Sequence, residues 1–370
     1  MNKEWRESGL EARRDRLARP RSRWILGLAL AGLLVLLLLG GLWQQQSLAS
    51  RASRVGTVAS WNVVSGDYYW LSNQKVLFCR KDSRGREPLF CFVPATGQEK
   101  PLPALSRLLQ ASAGDPATIK VSPDGQWLIW ASAHRNRICG ARLDGSRSFR
   151  GFLSAPSSFH WLGRSGRWVE CLWGDQGAAC CHALVHSVSS PHRLRRVPVT
   201  PRLSAPFLIT LTSHQHLLTA SVPEGRLNGS RFRVSIQQAG LGNNRAPHRR
   251  FTIALPPGRK LCELEFSPNG DRVVWLLEES YVPPVSAWLH RVCPEYSASS
   301  GPALGIWISR LDGTQMREVG CVPVTRSWQE HNRVPIQQWA RLWPVHIHWL
   351  PDGKQLSFVY RDALWMVPAD

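Results

Sequence analysis

The stretch VSPDGQWLIW at residues 121–130 recurs twice in this chain of 370 residues. The second copy reads FSPNGDRVVW at residues 266–275, and the third reads WLPDGKQLSF at residues 349–358. In each copy an apolar segment runs into a Pro-Asp-Gly or Pro-Asn-Gly turn and then into a second apolar segment. Repetition on this scale indicates an architecture built from stacked copies of one unit.

Each copy predicts a β-hairpin. Proline sets the φ angle at the second position of a tight turn, and Asp or Asn followed by Gly suits the next two positions. The flanking residues are β-branched or aromatic, which is typical of strands. Weaker copies occupy residues 70–78, 161–169 and 211–218. The six turns then lie near residues 73, 124, 164, 214, 269 and 352.

A second turn follows some of these hairpins, as RLDGS at residues 142–146 and RLDGT at residues 310–314. Each unit therefore predicts four antiparallel strands, which form the blade of a β-propeller. One blade cannot bury its own apolar faces, so the blades must pack against each other. We predict an all-β, six-bladed propeller of four-stranded antiparallel blades over residues 55–370. Residues 55–61 supply the missing outer strand of the last blade and close the ring.

The Ser-Pro-Asp-Gly and Leu-Asp-Gly phrases resemble those of TolB-like propellers, which are relatives of the WD-repeat family. The resemblance covers roughly residues 55–370, and it implies six blades, in agreement with the count of turns. It also implies protein–protein binding at the cell envelope. A fold alone does not define a function, so the site must be argued separately.

A Pro- and Ser-rich segment at about residues 278–305 lies between the fifth hairpin and its second turn. We predict that it is an insertion within blade five, on the rim of the disc. Its aromatic side chains are candidates for surface binding, or they pack the insertion onto its own blade. These candidates are Tyr281, Trp288 and Tyr296.

Residues 24–43 contain no charged side chain and run between two tryptophans. Twenty helical residues span about 30 Å, the hydrocarbon thickness of a bilayer, so we predict one transmembrane helix here. Residues 1–23 carry eight basic and four acidic side chains. The positive-inside rule places this tail in the cytoplasm. It places the propeller on the other side of the inner or plasma membrane, connected to the helix by a linker at residues 44–54. The alternative is a signal peptide cleaved near residues 47–49, which the length of the apolar stretch disfavours.

The chain carries 46 basic and 26 acidic residues, for a formal net charge of +20. A field of this sign attracts acidic polysaccharide, anionic lipid or nucleic acid. Acidic polysaccharide is therefore a candidate partner, whereas the extracytoplasmic location argues against nucleic acid. The alternative is that the charges are spread over the surface without a dedicated partner, since no long basic run follows the tail.

The nine cysteines are an odd number, so at least one thiol has no partner within the chain. Two pairs lie symmetrically about turns and are predicted to face each other across the second and third strands of a blade. In an oxidising compartment they would form disulfides, and otherwise they are small buried residues on adjacent strands. The disulfide candidates are Cys79 with Cys91 and Cys171 with Cys180, and a weaker pair is Cys293 with Cys321.

One polar residue precedes the apolar anchor of each predicted inner strand, and these residues are expected to line the central channel. They are Tyr69, Lys120, His160, Thr210, Glu265 and His348, with His346 close by. A cluster of histidines and a glutamate there suits a metal or a charged ligand, and the alternative is a channel wall of solvated polar groups. The binding candidates in the channel are Lys120, His160, Glu265, His346 and His348.

Catalytic and cofactor motifs are missing from the sequence. It has no Gly-x-Ser-x-Gly elbow, no phosphate-binding glycine loop and no His-Glu-x-x-His segment. Cys180, His182 and His186 would share one face of a strand, yet zinc sites usually draw on a turn or a helix. We therefore predict neither a cofactor nor a metal site.

These patterns favour a membrane-anchored, extracytoplasmic propeller that serves as a recognition or scaffolding module. Its expected partners are other envelope proteins, bound by loops on one face of the disc and by the insertion in blade five. The alternative is a propeller hydrolase or lyase, or a carbohydrate-binding protein, that uses the mouth of the channel. In an enzyme the residues to test are His160, Glu265 and His348.

Overall fold

The computed structural model describes most of the predicted propeller and a few residues before it. The described residues are 30–33, 35–36, 52–57, 68–80, 83, 86–114, 118–132, 137–153, 157–162, 166–173, 180–203, 208–212, 216–221, 233–241, 249–281, 301–323, 347–360 and 363–370. The predicted tail at residues 1–23 and the candidates Trp288, Tyr296 and His346 lie outside them. The side chain of Tyr281 is also outside the description, although its backbone ends a strand.

The chain divides into two compact units, Met1–Ser50 with Val282–Ser300, and Arg51–Tyr281 with Gly301–Asp370. In the first unit, residues 30–33 and 35–36 are helical. Among the described residues, no helix has both the length and the hydrophobicity to cross a bilayer.

In the second unit the described residues form 24 strands, beginning with β1 at Ser53–Thr57. Blades one and two comprise β2 Tyr68–Ser72, β3 Lys75–Cys79, β4 Leu89–Val93, β5 Gln98–Pro101, β6 Lys120–Val121, β7 Trp127–Ala131, β8 Arg137–Arg142 and β9 Ser148–Phe152. Blades three and four comprise β10 Ser157–Leu162, β11 Arg167–Trp173, β12 Cys180–Ser187, β13 Ser190–Leu203, β14 Leu208–Leu211, β15 His216–Ser221, β16 Arg233–Leu241 and β17 Arg249–Ala254. Blade five comprises β18 Lys260–Phe266, β19 Arg272–Tyr281, β20 Gly301–Arg310 and β21 Arg317–Pro323. Blade six comprises β22 Ile347–Trp349, β23 Gln355–Tyr360, β24 Ala363–Pro368 and β1.

Hydrogen bonds fix the predicted turns between the first and second strands of the best-matching blades. In blade two the Gly125 N–H donates to the Ser122 carbonyl at 2.8 Å, which closes a four-residue turn. Gly125 has a φ of 66°, a left-handed conformation that glycine adopts without steric cost. The Ser122 hydroxyl oxygen also accepts the Trp127 N–H at 2.9 Å, so it joins the turn to the second strand. The repeated phrase thus encodes a hairpin with its own side-chain support.

The ring closes at blade six, where β1 pairs antiparallel with β24. The strand comes from the N-terminal side of blade one and completes the four-stranded sheet β22-β23-β24-β1. The sequence predicted this closure for residues 55–61, and the paired segment is Ser53–Thr57. The six-bladed, four-stranded propeller is therefore confirmed, with its outer edge in the last blade covered by a strand from the other end of the domain.

Blades three and four depart from the pattern of separate sheets. The outer strand β13 continues beyond blade three and pairs with β16 of blade four through Val199–Leu241 and Thr200–Gly240. The two blades therefore form one continuous eight-stranded sheet. This region contains the most degenerate copy of the repeat, and the junction was not predicted from its residues.

Apolar side chains of neighbouring blades interdigitate to form the core. Trp168 of blade three and Trp275 of blade five are fully buried. Trp168 packs with Ile129 and Ile138 of blade two, and Trp275 packs with Val234 of blade four. Tryptophans on the predicted strands thus act as wedges between blades, as the sequence indicated.

An α-helix at Pro103–Ala111, between blades one and two, was not predicted. Proline in its first turn suits a helix start, and Leu105 and Leu109 bury their side chains in the core between these blades.

In blade five the strands also extend further than predicted, because β19 runs to Tyr281 and β20 starts at Gly301. The ends of the segment predicted as an insertion at residues 278–305 are therefore paired strand, and residues 282–300 lie outside the described part.

The strand register corrects the predicted opposition of the cysteines. Cys79 lies opposite Leu89, and Cys91 lies opposite Leu77, so the two are not cross-strand partners. Cys91 is a free thiol in the structure. Cys171 lies opposite Ala183, whereas Cys180 pairs with Trp173. Equal spacing about a turn in the sequence therefore did not give equal register across the strands.

Candidate functional site at the axial cavity

One cavity of about 490 Å³ lies at the axis of the ring, on the face that carries the Pro-Asp-Gly turns. Residues of all six blades line it. Representatives of blades one to six are Tyr69, Pro123, Trp161, Leu211, Pro268 and Pro351. The prolines belong to the repeated turns, so the motif that builds each hairpin also shapes the wall of the cavity.

The predicted channel residues are only partly brought together here. Glu265 and His348 line the cavity, and Tyr69 lies beside them in blade one. In blades two and three the lining residues are Val121 and Trp161, one position after the predicted Lys120 and His160. Lys120 and His160 themselves are not among the residues that line the cavity.

A carboxylate and an imidazole meet at the wall between blades five and six. Glu265 Oε2 on β18 lies 3.3 Å from His348 Nδ1 on β22, and both side chains remain partly exposed. The edge of the His348 ring contacts Tyr68 at 4.8 Å between centroids, with the rings at 84°. A carboxylate therefore lies in the wall of a cavity that five tyrosine and tryptophan side chains also line.

A hydrogen-bonded cluster behind this pair fixes its position. The Ser357 hydroxyl lies 2.9 Å from the Tyr68 hydroxyl and accepts the Trp70 indole N–H at 2.7 Å. It also lies 3.4 Å from the His348 carbonyl. Burial raises the pKa of the Tyr68 hydroxyl well above its ordinary value, partly offset by the bond to Ser357. Tyr68 thus stays a neutral phenol, and the cluster ties blade one to blade six.

Ser357 and Tyr68 were not predicted as site residues, although the repeat contains a signal for the serine. At the equivalent position the other two strong copies have Ile129 and Val274. The other copies have a fully buried aliphatic residue at this position of the second strand. A buried hydroxyl needs a hydrogen-bond partner, so a serine here indicates that the neighbouring blade supplies one.

His160 has a different environment from the cavity pair. Its Nε2 is buried and has no hydrogen-bond partner among the described residues. Burial, with a smaller effect of the Lys120 charge, lowers the pKa of His160 to about 3. The imidazole is therefore neutral at physiological pH, and it takes no part in the Glu265–His348 pair.

The hydroxyl groups at the wall of the cavity are engaged in turns. Ser122 Oγ donates to Asp124 at 2.5 Å, and Thr212 Oγ1 accepts the His216 N–H at 3.2 Å. Neither faces a histidine in the manner of an activated nucleophile. The arrangement suits the binding of apolar groups together with one cation, rather than covalent chemistry.

The chain was compared with known proteins. No family model matches it, and no curated protein matches it. Among solved structures, oligogalacturonate lyase in complex with manganese is 13% identical with a TM-score of 0.46, covering 86% of this chain and 90% of its own. The putative TolB of Agrobacterium tumefaciens is 13% identical with a TM-score of 0.42, covering 82% and 89%. The Cps50 (Swd1) β-propeller domain of Myceliophteria thermophila is 12% identical with a TM-score of 0.39, covering 86% and 99%.

These similarities concern fold and carry no argument about function. The six-bladed propeller that the resemblance to TolB-like proteins implied is present in the strand pairing itself. The function is therefore argued from the cavity.

Proposed function

We propose that this protein is a non-catalytic recognition module whose axial cavity receives an extended segment of a protein partner. The observation that carries the proposal is the composition of the cavity wall, which Trp161, Trp349 and three turn prolines share with Glu265. Aromatic side chains are enriched at protein-binding surfaces, and a partly exposed carboxylate selects for a cation. The segment that fits best carries an apolar or aromatic side chain next to a lysine or an arginine.

The proposed setting of this module is the cell envelope. The support is the uncharged stretch at residues 24–43 with its basic leader, which is typical of a single-pass anchor with the propeller outside the cytoplasm. The partners proposed are other envelope proteins, since an anchored disc presents its loops and its axial cavity to neighbours at the membrane.

Site-specific photocrosslinking in intact membranes tests both statements. A crosslinking residue at Asn269 or Pro351 lies at the cavity, and one at Ser146 lies on an exposed turn of blade two as a matched control. We expect a discrete protein adduct from the two cavity positions and none from Ser146, with the adduct reduced in Glu265→Gln. Equal adducts from all three positions would contradict a role for the cavity. Adducts to glycan alone would favour the carbohydrate-binding alternative.

A further inference from the structure

A cluster of potential metal ligands lies on blade five, apart from the axial cavity. Glu279 is on β19, and Glu318 and Cys321 are on β21. One ligand atom of each lies within 4.8 Å of the other two. Glu279 is near the end of β19, whereas the turn that faces the cavity precedes the start of this strand at Arg272. The cluster is therefore a separate site from the one described above.

A β-bulge brings the two ligands of β21 to one face of the blade. Gly305 lies opposite Cys321 and Trp307 lies opposite Glu318, with a register shift between Ile306 and Trp307. Cross-strand partners point to the same face, so Glu318 and Cys321 share a face although they are three residues apart. A regular strand would have pointed them to opposite faces, and re-aiming a side chain is what bulges do at sites.

An independent observation is the state of the Glu279 carboxylate, whose side chain is only 4% exposed. Its Oε2 lies 2.5 Å from Arg259 Nη1, but its Oε1 is buried without a hydrogen-bond partner among the described residues. A Cβ atom on Gly305 would lie 2.1 Å from this oxygen, so the glycine provides the space the carboxylate occupies. A buried carboxylate oxygen without a hydrogen-bond partner is costly, and a cation bound at this cluster would offset that cost.

The donor set of the cluster suits a divalent cation. Each of the three groups can donate an anionic atom to a metal, and the guanidinium that contacts them is that of Arg259, through Glu279. When all three groups are deprotonated, their charges and that of Arg259 sum to −2, which a divalent cation neutralises.

We propose that Glu279, Glu318 and Cys321 bind a zinc-type divalent cation. Zinc accepts both thiolate sulfur and carboxylate oxygen, whereas calcium and magnesium prefer oxygen ligands alone. Binding converts the Cys321 thiol to a thiolate and releases its proton to solvent. Three protein ligands leave a fourth position of the tetrahedron for an exchangeable ligand.

Metal titration of the purified full chain tests the proposal. The protein is stripped with a chelator and equilibrated with zinc chloride against a chromogenic zinc indicator. We expect one tight zinc per chain, with affinity at least about tenfold weaker in Cys321→Ser and in Glu318→Gln. Cys91→Ser is the matched control, since this cysteine in blade one lies outside the cluster, and its affinity is expected to equal that of the parent.

Cobalt(II) provides a second measurement, which tests directly whether Cys321 is a metal ligand and not only part of the packing of blade five. Cobalt(II) bound to a thiolate gives a charge-transfer absorption, which we expect in the parent protein and in Cys91→Ser but not in Cys321→Ser. Unchanged zinc affinity in both cluster variants, or no thiolate–cobalt absorption in the parent, would overturn the proposal. A disulfide between Cys293 and Cys321, found by mass spectrometry of unreduced peptides, would overturn it as well.

Discussion

Two glutamate–histidine pairs of nearly equal distance lie in different regions of the ring. In blade three Glu170 Oε2 lies 3.2 Å from His186 Nε2, and both side chains are almost fully buried. The imidazole also stacks on Trp168, with centroids 3.6 Å apart and the rings at 8°. At the axial cavity Glu265 and His348 lie 3.3 Å apart and both remain partly exposed.

The difference separates a structural pair from a binding candidate. The pair in blade three joins two strands of one sheet, and its atoms face packed protein. The cavity pair joins two blades and keeps its carboxylate within reach of a ligand. The same residue types therefore acquire different roles from burial alone, because charge buried in protein is costly to leave unmatched whereas exposed charge is solvated.

The largest expected effect is on the buried pair. His186→Ala removes the imidazole that faces Glu170 and the ring that stacks on Trp168. We expect a loss of about 3–5 kcal/mol in the free energy of unfolding, measured by denaturant titration. The matched variant His348→Ala should lose about 1 kcal/mol or less. Equal losses of unfolding free energy in the two variants would contradict the distinction between a structural pair and a binding pair.

The second largest effect on stability is expected for Ser357, whose hydroxyl lies behind the Glu265–His348 pair. Ser357→Ala deprives the Tyr68 hydroxyl and the Trp70 indole of a shared partner, and we expect a loss of about 1–3 kcal/mol in unfolding free energy. Ser309→Ala is the matched control, because there one buried indole, that of Trp275, loses its partner at 2.9 Å. Only Ser357→Ala should also weaken capture of the partner, as measured by crosslinking from Asn269.

A third histidine extends the comparison, because the buried Nε2 of His160 has no hydrogen-bond partner in the described part of the chain. Its folded-state pKa of about 3 lies below the ordinary value of 6.5. The unfolded chain therefore binds a proton within this window that the folded chain does not, so stability is full above 6.5 and falls as the pH falls towards 3.

The His160→Gln variant should remove that dependence. Between pH 6 and pH 4 we expect the unfolding free energy of the parent to fall more steeply than that of the variant, by at most about 1.4 kcal/mol per pH unit. Denaturant titrations at several pH values measure the difference. Parallel curves would show that His160 is protonated in the folded state or exposed to solvent.

The smallest effect on stability is expected for Glu265→Gln, which removes a partly exposed charge at the cavity. The change in unfolding free energy should stay within about 1 kcal/mol. Binding of the partner should nevertheless fall, because the cation of the bound segment loses its counter-charge. A variant that binds normally would remove Glu265 from the recognition site and leave the aromatic wall as the main contact.

The sequence predicted the ring because its strongest signal is local. A Pro-Asp-Gly turn between two apolar segments specifies a hairpin through its own backbone, as the bond from Gly125 to Ser122 shows. Blade four lacks this turn, so its fusion to blade three through β13 was not foreseen. The helix at Pro103–Ala111 was also missed, because its helical face depends on burial of Leu105 and Leu109 by two neighbouring blades.

The candidate site was predicted less well, since it depends on which face each inner strand presents. Glu265 and His348 line the cavity, as the sequence analysis expected for inner-strand residues, whereas Lys120 and His160 are not among its lining residues. The cluster in blade five was beyond prediction, because Glu318 and Cys321 share a face only through a bulge. A shift of one residue in register reverses every side chain of a strand, and spacing alone does not fix the register.

The closure of the ring by β1 also has a mechanical consequence. The seam that holds blade six together is formed by the segment Ser53–Thr57, so tension on the chain ahead of Ser53 acts directly on its bonds to β24. Peeling of this strand would expose the edge of β24 before any other blade is disturbed. Under tension the propeller would then open first between β1 and β24. A peptide with the sequence of β1 would be expected to pair with β24 and restore the four-stranded sheet.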